Sequence, residues 1–286
     1  MKTSPLGQLL DRRYRVIRPL AAGGFGQTYI AEDTRRPGNP CCVVKHLKPA
    51  SSDLRFLENA RRLFVTEAES LEKLGHHPQI PRLLAYFEEG EEFFLVQEWI
   101  EGHPLIQELQ PGRRWPETHI CQMLWDVLNI LVFVHHHQVI HRDIKPDNLI
   151  RRVADGQLVL VDFGTVKQIR TQMILRGQAT ETIAVGTPGY MPTEQSHGKP
   201  RPNSDLYALG MIGIQAATGW SPTQIPEDAE TGEIVWQDQA QVSLELAHLL
   251  SQMVRYHFKD RYQSAIATLT DLAPAAIPNS ECIKRY

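Results

Sequence analysis

The chain has 286 residues, of which 42% are hydrophobic and 22% are charged, and its formal net charge is −3. This composition indicates a globular protein with a substantial core, and it argues against intrinsic disorder and against nucleic acid as an obligate partner. Four cysteines without a CxxC pair predict no disulfide framework and fit a reducing compartment. The longest apolar run, Leu124 to Val134, is interrupted by Asp126 and Asn129. We therefore expect a cytoplasmic chain with no signal peptide and no membrane partner.

A glycine-rich stretch follows the first predicted strand, Tyr14–Ile17. It runs from Leu20 to Ile30 and has three glycines within four residues. Glycines between two strand-like runs predict a hairpin whose backbone can approach a ligand closely. The exposed N–H groups of such a hairpin can hold phosphates. A tight turn without a ligand explains these glycines about equally well.

The next strand, Cys41–Lys45, ends in a lysine that could simply extend its ammonium group to solvent. A helix from about Arg55 to Leu74 follows, and it carries Glu67 beside its apolar stripe. A carboxylate in that position needs a cationic partner. We expect Lys45 to be this partner, since the competing Glu69 points about 200° round the helix.

A buried strand is predicted at Phe93–Gln97, and Glu98–Gly102 connects it to the following part of the chain. Apolar residues then recur every three or four positions, which predicts a helix from Glu117 to His137. Three histidines, His135–His137, end this helix. Consecutive helical side chains point in different directions, so we do not expect these histidines to bind one metal ion.

The most informative stretch is His-Arg-Asp-Ile-Lys-Pro-Asp-Asn, residues 141–148. Charged groups placed beside apolar segments lose hydration, and burying an unpaired charge costs free energy, so a loop without a function has no reason to concentrate them. A phosphoryl-transfer site needs such groups. Asp143 can accept the proton of a substrate hydroxyl, Lys145 can neutralise the transferring phosphoryl group, and Asn148 can hold a metal ion.

A second acidic motif follows a predicted hairpin with Asp155-Gly156 as its turn. The buried strand Leu158–Val161 ends in Asp162-Phe163-Gly164. Taken alone, an aspartate before a glycine at a strand end is compatible with a turn cap.

Together these motifs resemble the eukaryotic-type serine/threonine protein kinases of bacteria and are most similar to the cyanobacterial branch. Residues 141–148 match the catalytic loop of that family, and Asp162-Phe163-Gly164, nineteen residues after Asp143, matches its DFG motif. The resemblance implies an α+β, two-lobed protein kinase fold, with a small antiparallel sheet lobe carrying one main helix, a larger helical lobe, and ATP between them. The implied boundaries are a lead-in at 1–10, a kinase domain at 11–273, divided into lobes at 11–99 and 100–273, and a tail or linker at 274–286.

The resemblance also implies roles for individual residues. Asp143, Lys145 and Asn148 would carry catalysis, and Asn148 and Asp162 would bind Mg²⁺, with Mn²⁺ as an alternative. The implied ATP-binding residues are Leu20, Ala21, Ala22, Gly23, Gly24, Phe25, Gly26, Thr28, Val43, Lys45, Glu98, Ile100 and Ile150. The residues with implied structural or regulatory roles are Glu67, Arg142, Thr180, Thr182, Thr187, Glu194, Asp205 and Arg261.

Two of these implied roles are specific contacts in the large lobe. Glu194 is expected to pair with Arg261, and Asp205 is expected to anchor the backbone of the catalytic loop. The sequence departs from the family pattern at Ala21, where the first loop glycine is expected, and at Val43, where an alanine is usual. Only the glutamate of the family's Ala-Pro-Glu motif is kept here, in Pro192-Thr193-Glu194.

The implied activity is transfer of the ATP γ-phosphoryl group to serine or threonine hydroxyls of protein substrates. We expect it to be regulated by autophosphorylation at Thr180 or Thr182, because a phosphothreonine would neutralise Arg142. One alternative is a pseudokinase that acts as a nucleotide-binding scaffold. However, the residues that would handle phosphate, metal and proton are all present, namely Lys45, Asp143, Asn148 and Asp162. A small-molecule phosphotransferase is a weaker alternative, since it would lack the segment 187–194 and Arg261. No oligomeric state is predicted.

Overall fold

The computed structural model of the chain describes residues 6–23, 26–47, 54–163 and 188–276. These residues form two compact units, the first within residues 6–101 and the second within 102–163 and 188–276. Several residues with predicted roles lie outside the described residues, namely Gly24, Phe25, Thr180, Thr182 and Thr187. The side chains of Ala22, Gly23 and Gly26 are likewise outside the description.

A six-stranded antiparallel sheet with the order β1-β2-β3-β4-β6-β5 forms most of the first unit. Its strands are β1 (Leu9–Leu10), β2 (Tyr14–Gly23), β3 (Gly26–Asp33), β4 (Cys41–Leu47), β5 (Leu83–Glu89) and β6 (Glu92–Glu98). The predicted glycine-rich hairpin is confirmed, because β2 and β3 pair until Gly23 lies opposite Gly26. Strand β1 was not predicted, and it places two residues of the predicted lead-in within the sheet.

The two faces of this sheet differ in what they carry. One face holds a buried apolar cluster formed by Tyr14, Val16, Tyr29, Ala31, Cys42, Val44, Phe94 and Val96, with Leu10 of β1. Because side chains alternate along a strand, the opposite face carries Thr28, Ile30, Val43, Lys45, Leu95 and Gln97. Helix α1 (Leu54–Leu74) packs on this opposite face, where the rings of Phe64 and Phe93 lie 5.3 Å apart. The sheet face that carries Lys45 therefore also receives the predicted helix.

The second unit is mainly helical. Its helices are α2 (Glu117–His136), α3 (Thr193–Ser196), α4 (Pro202–Thr218), α5 (Leu244–Met253) and α6 (Ala265–Ala276). A small antiparallel sheet of β7 (Gly102–Pro104), β8 (Leu149–Arg152) and β9 (Leu158–Leu160) joins them. Helix α6 runs to Ala276, three residues beyond the predicted end of the domain at 273.

Helix α2 matches the predicted helix to within one residue, and its apolar stripe from Ile120 to Val134 is buried. By length and composition alone, it is the one helix in the described part of the chain that could cross a membrane. Half of its most apolar window is buried inside the chain, where α2 packs against α4 and α6. These contacts make α2 a core helix of the second unit.

Helix α4 lies at the centre of the second unit, and nearly all of its residues are buried. It begins at Pro202, whose fixed φ suits a first turn, and it is followed by Gly219 with a φ of 74°. Its first turn carries Asp205, which is buried and therefore needs partners.

Candidate active site

Lys45 and Glu67 form an ion pair in the first unit. Lys45 Nζ lies 3.1 Å from Glu67 Oε1, and Glu67 is only 2% exposed. The competing Glu69 is exposed to solvent. The predicted contact is therefore confirmed, and the helical phase that selected Glu67 over Glu69 was the right criterion.

The predicted residues of the glycine-rich hairpin lie on β2 and β3. Leu20 and Ala21 are exposed, and half-buried Thr28 lies opposite both Ala21 and Lys45. Their positions in the sheet put Thr28 next to Lys45 on the face that α1 covers. Whether these residues bind a nucleotide stays a prediction.

Gln97, at the end of β6, is a buried polar side chain on the same face. It is 5% exposed and lies directly opposite Val43 on β4. No donor among the described residues reaches its Oε1. The next residue, Glu98, donates its backbone N–H to the carbonyl of Arg82 at 2.9 Å, so this N–H is not available to a ligand. A bound group that donates hydrogen bonds would suit this position, because buried acceptors are normally paired.

In the second unit, the three predicted catalytic side chains lie together in the loop between α2 and β8. The Asn148 amide donates to the backbone carbonyl and to Oδ2 of Asp143, each at 2.8 Å. Lys145 Nζ lies 3.7 Å from the same Oδ2, and Asp143 is 8% exposed. Because both N–H groups of Asn148 are directed at Asp143, its Oδ1 is the amide atom available to a cation.

Asp205 anchors this loop from α4, as predicted. Its Oδ2 accepts the backbone N–H of His141 at 2.9 Å, and its Oδ1 accepts that of Arg142 at 2.8 Å. Burial acts to raise the pKa of the Asp205 carboxyl, but the hydrogen bond from His135 and the attraction to His135 and His141 outweigh it and lower that pKa overall. An ionised Asp205 can accept all of these hydrogen bonds at once.

His135 is a residue of this site that sequence reasoning missed. Its Nε2 donates to Asp205 Oδ2 at 2.9 Å from the last turn of α2. The contact joins residues 70 positions apart, so no local pattern indicated it. The separate orientation of the three histidines was predicted, and His137 indeed contacts Phe133 rather than Asp205.

His141 connects the catalytic loop to the aspartate that follows β9. Burial lowers the pKa of this imidazole, although the attraction of the Asp205 and Asp143 carboxylates opposes this effect. Its Nε2–H donates to the Val161 carbonyl at 3.1 Å, while its Nδ1 accepts the Asp143 N–H at 3.3 Å. The His141 ring also packs on buried Phe163, with centroids 4.7 Å apart. Asp162 lies between these two contacts, with an exposed side chain and a φ of 69°.

Ile150, a predicted ATP-binding residue, lies on β8. It is half-buried and faces Val159 of β9 and Pro104 of β7 in the small sheet. In the first unit, Ile100 is 9% exposed and Val43 is 6% exposed. All three therefore offer apolar surface, and their contact with a nucleotide stays a prediction.

The positive charge of the Arg142 guanidinium group is only partly balanced by nearby negative charge. Desolvation lowers the pKa of Arg142, although the attraction of Asp205 opposes this effect. Its buried Nε has no hydrogen-bond partner within the part of the chain that the structure describes. An anion bound beside Arg142 would supply the missing acceptor.

Glu194 and Arg261 form the predicted buried pair. Arg261 Nη1 lies 2.6 Å from Oε1 and Nη2 lies 3.2 Å from Oε2, with the Arg261 side chain 0% exposed. Ser204 Oγ also donates to Oε1 of Glu194 at 2.8 Å. Burial acts to raise the pKa of Glu194, but the hydrogen bonds from Arg261 and Ser204 outweigh it and lower that pKa.

Comparison with known proteins places this arrangement in a family. The chain matches the protein kinase domain over residues 14–271. It belongs to the protein kinase family. Among the relatives of this kinase-family chain, serine/threonine-protein kinase C of Synechocystis sp. is 46% identical and is matched over 91% of this chain and 49% of its own length. Serine/threonine-protein kinase PknA of Nostoc sp. is 42% identical, over 90% of this chain and 46% of its own length.

The predicted resemblance to the cyanobacterial branch of the kinase family is thus confirmed. The kinase-family chain spans about half the length of these relatives. Two solved structures share its fold. The PknI kinase domain of Mycobacterium tuberculosis has a TM-score of 0.67 at 22% identity, covering 91% of this chain and 95% of that one. The apo form of PpkA-294 has a TM-score of 0.72 at 21% identity, covering 96% and 100%. The predicted α+β protein kinase fold is confirmed.

The kinase-family chain offers oxygen atoms suited to a divalent cation. Asn148 Oδ1 and the exposed Asp162 carboxylate are ligands that Mg²⁺ prefers. The described residues contain no group of three or more His, Cys, Asp or Glu side chains that could hold a metal ion. That Asn148 and Asp162 bind a cation stays a prediction.

Proposed function

We propose that this chain is the catalytic domain of a serine/threonine protein kinase, which transfers the ATP γ-phosphoryl group to serine or threonine hydroxyls of protein substrates. The observation that carries the proposal is the cluster of Asp143, Lys145 and Asn148. A carboxylate held by an amide at 2.8 Å, with an ammonium group 3.7 Å away, suits removal of a hydroxyl proton beside a transferring phosphoryl group.

Each side chain of the cluster has a separate part in this reaction. Asp143 accepts the proton of the attacking hydroxyl, and Lys145 neutralises charge on the transferring phosphoryl group. Asn148 fixes the orientation of the Asp143 carboxylate through its amide. Asn148 Oδ1 and Asp162 would hold Mg²⁺, which would supply positive charge to neutralise the ATP phosphates. In the first unit, Lys45 binds phosphate oxygens while Glu67 keeps its ammonium group in place.

ATP is the proposed nucleotide because of the hydrogen-bonding groups at the end of β6. The buried Oε1 of Gln97 needs a donor, and Glu98 has a carbonyl to offer. The exocyclic amine of adenine has two N–H groups, one for each of these acceptors. Val43 and Ile100 add buried apolar surface for the base.

The direct test is incubation of the purified chain with labelled ATP, Mg²⁺ and a generic basic protein. Transfer of label to serine or threonine supports the proposal. ATP-induced thermal stabilisation without any transfer would instead support the pseudokinase alternative. The absence of both transfer and stabilisation would contradict the kinase proposal and the pseudokinase alternative together.

We expect Asp162→Ala to abolish the dependence of ATP binding on magnesium. The variant loses a carboxylate proposed to hold the cation, so Mg²⁺ should no longer strengthen binding of ATP. The measurement is the shift in Tm caused by ATP, with and without Mg²⁺, since a bound ligand stabilises the folded state by an amount set by its Kd. Asp155→Ala, which removes an exposed carboxylate from the β8–β9 hairpin, is the matched control. An undiminished effect of Mg²⁺ in Asp162→Ala would contradict the assignment.

Regulation by autophosphorylation is the second part of the proposal. Arg142 is the supporting observation, because its buried Nε lacks an acceptor among the described residues and its charge is poorly solvated. A phosphothreonine brings about −1.5 to −2 charge and three acceptor oxygens. Thr180 and Thr182, which lie outside the described residues, are the proposed sites.

We expect phosphatase treatment to lower activity about tenfold or more, since one hydrogen bond to a charged group contributes about 1.5–3 kcal/mol. Mass spectrometry should find phosphate on Thr180 or Thr182 of the active protein. The double variant Thr180→Ala, Thr182→Ala should show the same loss as phosphatase treatment, whereas Thr171→Ala should not. A double variant with full turnover would disprove this mode of regulation.

A further inference from the structure

The peptide group that joins Arg142 to Asp143 is held at both of its polar atoms. Gln195 Nε2 donates to the Arg142 carbonyl at 2.8 Å. On the other side, the Asp143 N–H reaches His141 Nδ1 at 3.3 Å. The preceding N–H, that of Arg142, is bound by Asp205 at 2.8 Å. The side chains of Gln195, His141 and Asp205 thus hold the backbone on both sides of this peptide group. They thereby set the direction in which the Asp143 side chain extends.

Such support is needed because the backbone of Arg142 is strained. Its φ of 66° lies in the left-handed region, which is unfavourable for a residue with a Cβ atom. A conformation of this kind persists only where its surroundings hold it. Without Gln195, the Arg142 carbonyl would lose the one side-chain donor that it has among the described residues, and the peptide group between Arg142 and Asp143 could rotate. The Asp143 carboxylate would then turn with it.

The position of Gln195 is itself set by a rigid contact. It lies in the short helix α3, directly after Glu194, whose carboxylate is bound by Arg261 and Ser204. Gln195 and Asp143 also line the same small cavity. Gln195 therefore connects the buried Glu194–Arg261 pair to the catalytic loop over a separation of 53 residues.

We propose that Gln195 is a positioning residue for Asp143, which acts through the Arg142 carbonyl and does not touch the substrate. This inference rests on the proposed kinase activity, because it concerns the orientation of the residue that accepts the hydroxyl proton. Small errors in the position of a catalytic group reduce turnover without weakening binding of the substrate. Gln195 should therefore act on kcat and leave the KM for ATP unchanged.

The test compares Gln195→Met with wild type. Methionine is similar in length and apolar volume but cannot donate to the Arg142 carbonyl. We expect kcat to fall about tenfold while the KM for ATP stays within about twofold, the scale expected from loss of one hydrogen bond. The matched control is Ser196→Ala, which removes a hydrogen bond to Thr193 from the same turn without touching the catalytic loop. It should behave as wild type.

Amide hydrogen exchange supplies a readout that does not depend on activity. Peptides covering residues 141–145 should exchange faster in Gln195→Met than in wild type or Ser196→Ala. A kcat and an exchange rate equal to those of Ser196→Ala would overturn the proposal, and so would a loss of kcat explained entirely by a lower Tm. If wild type itself transfers no phosphoryl group, the proposed function fails. The exchange comparison then still decides whether Gln195 holds the Asp143 backbone.

Discussion

Asp143→Asn should reduce turnover by about 10²–10⁴-fold, the usual worth of a general base, while nucleotide binding stays close to wild type. The asparagine side chain has the same shape but cannot take a proton from a substrate hydroxyl. It also removes the negative charge that faces Lys145 at 3.7 Å. The residues proposed to bind the nucleotide base, phosphates and cation are left unchanged. The measurements are kcat with labelled ATP and the shift in Tm that ATP causes.

The matched control for this change is Asp238→Asn, which alters an exposed carboxylate elsewhere in the second unit. Turnover of the control should equal that of wild type. Wild-type turnover in Asp143→Asn would exclude Asp143 as the proton acceptor. Loss of ATP binding in the variant would mean that the substitution disturbed the loop rather than the chemistry.

The elements with a clear hydrophobic period could be predicted from the sequence. Helix α2 has an uninterrupted apolar stripe, and its bounds were predicted to within one residue. Helical phase was also enough to pair Lys45 with Glu67, because Glu69 lies on another side of the helix. Strand β5 was missed because it mixes half-buried and exposed positions instead of alternating clearly.

The motifs identified which residues form the catalytic loop, but they did not identify everything that holds it. His135 contacts Asp205, which anchors the loop, across 70 residues of sequence, and Gln195 contacts the loop itself across 53 residues. Such contacts depend on how helices pack, and no local spacing encodes them. The anchoring by Asp205 and the pair of Glu194 with Arg261 were expected only because the sequence resembles a family. Physical reasoning on isolated residues would not have found these partners.

The Glu194–Arg261 pair gives the largest expected effect on stability. Arg261→Met should lower the free energy of unfolding by about 3–5 kcal/mol, because it leaves the carboxylate of Glu194 buried without its partner. At about 2–4 °C per kcal/mol, Tm should fall by roughly 6–20 °C. Arg255→Met is the control, since Arg255 and Glu233 form a partly exposed pair at 3.5 Å that should contribute only about 0–1 kcal/mol. Equal Tm values for the two variants would contradict a stabilising role of the buried pair.

The pH dependence of unfolding tests the same pair by a second route. The pKa of Glu194 is lowered in the folded protein, so the unfolded state binds protons more readily than the folded state at acid pH. The contribution of Glu194 to stability is therefore complete above its unfolded pKa, about 4.3, and is lost as the pH falls through the lower folded value. Without Arg261, burial dominates and the pKa of Glu194 should rise above the unfolded value, so this carboxylate destabilises the variant increasingly as the pH rises.

The difference in unfolding free energy between wild type and Arg261→Met should consequently be largest near neutral pH and shrink below about pH 4. A difference that stays constant from pH 7 to pH 3 would show that the lost stability comes from the packing of the Arg261 side chain and not from its charge.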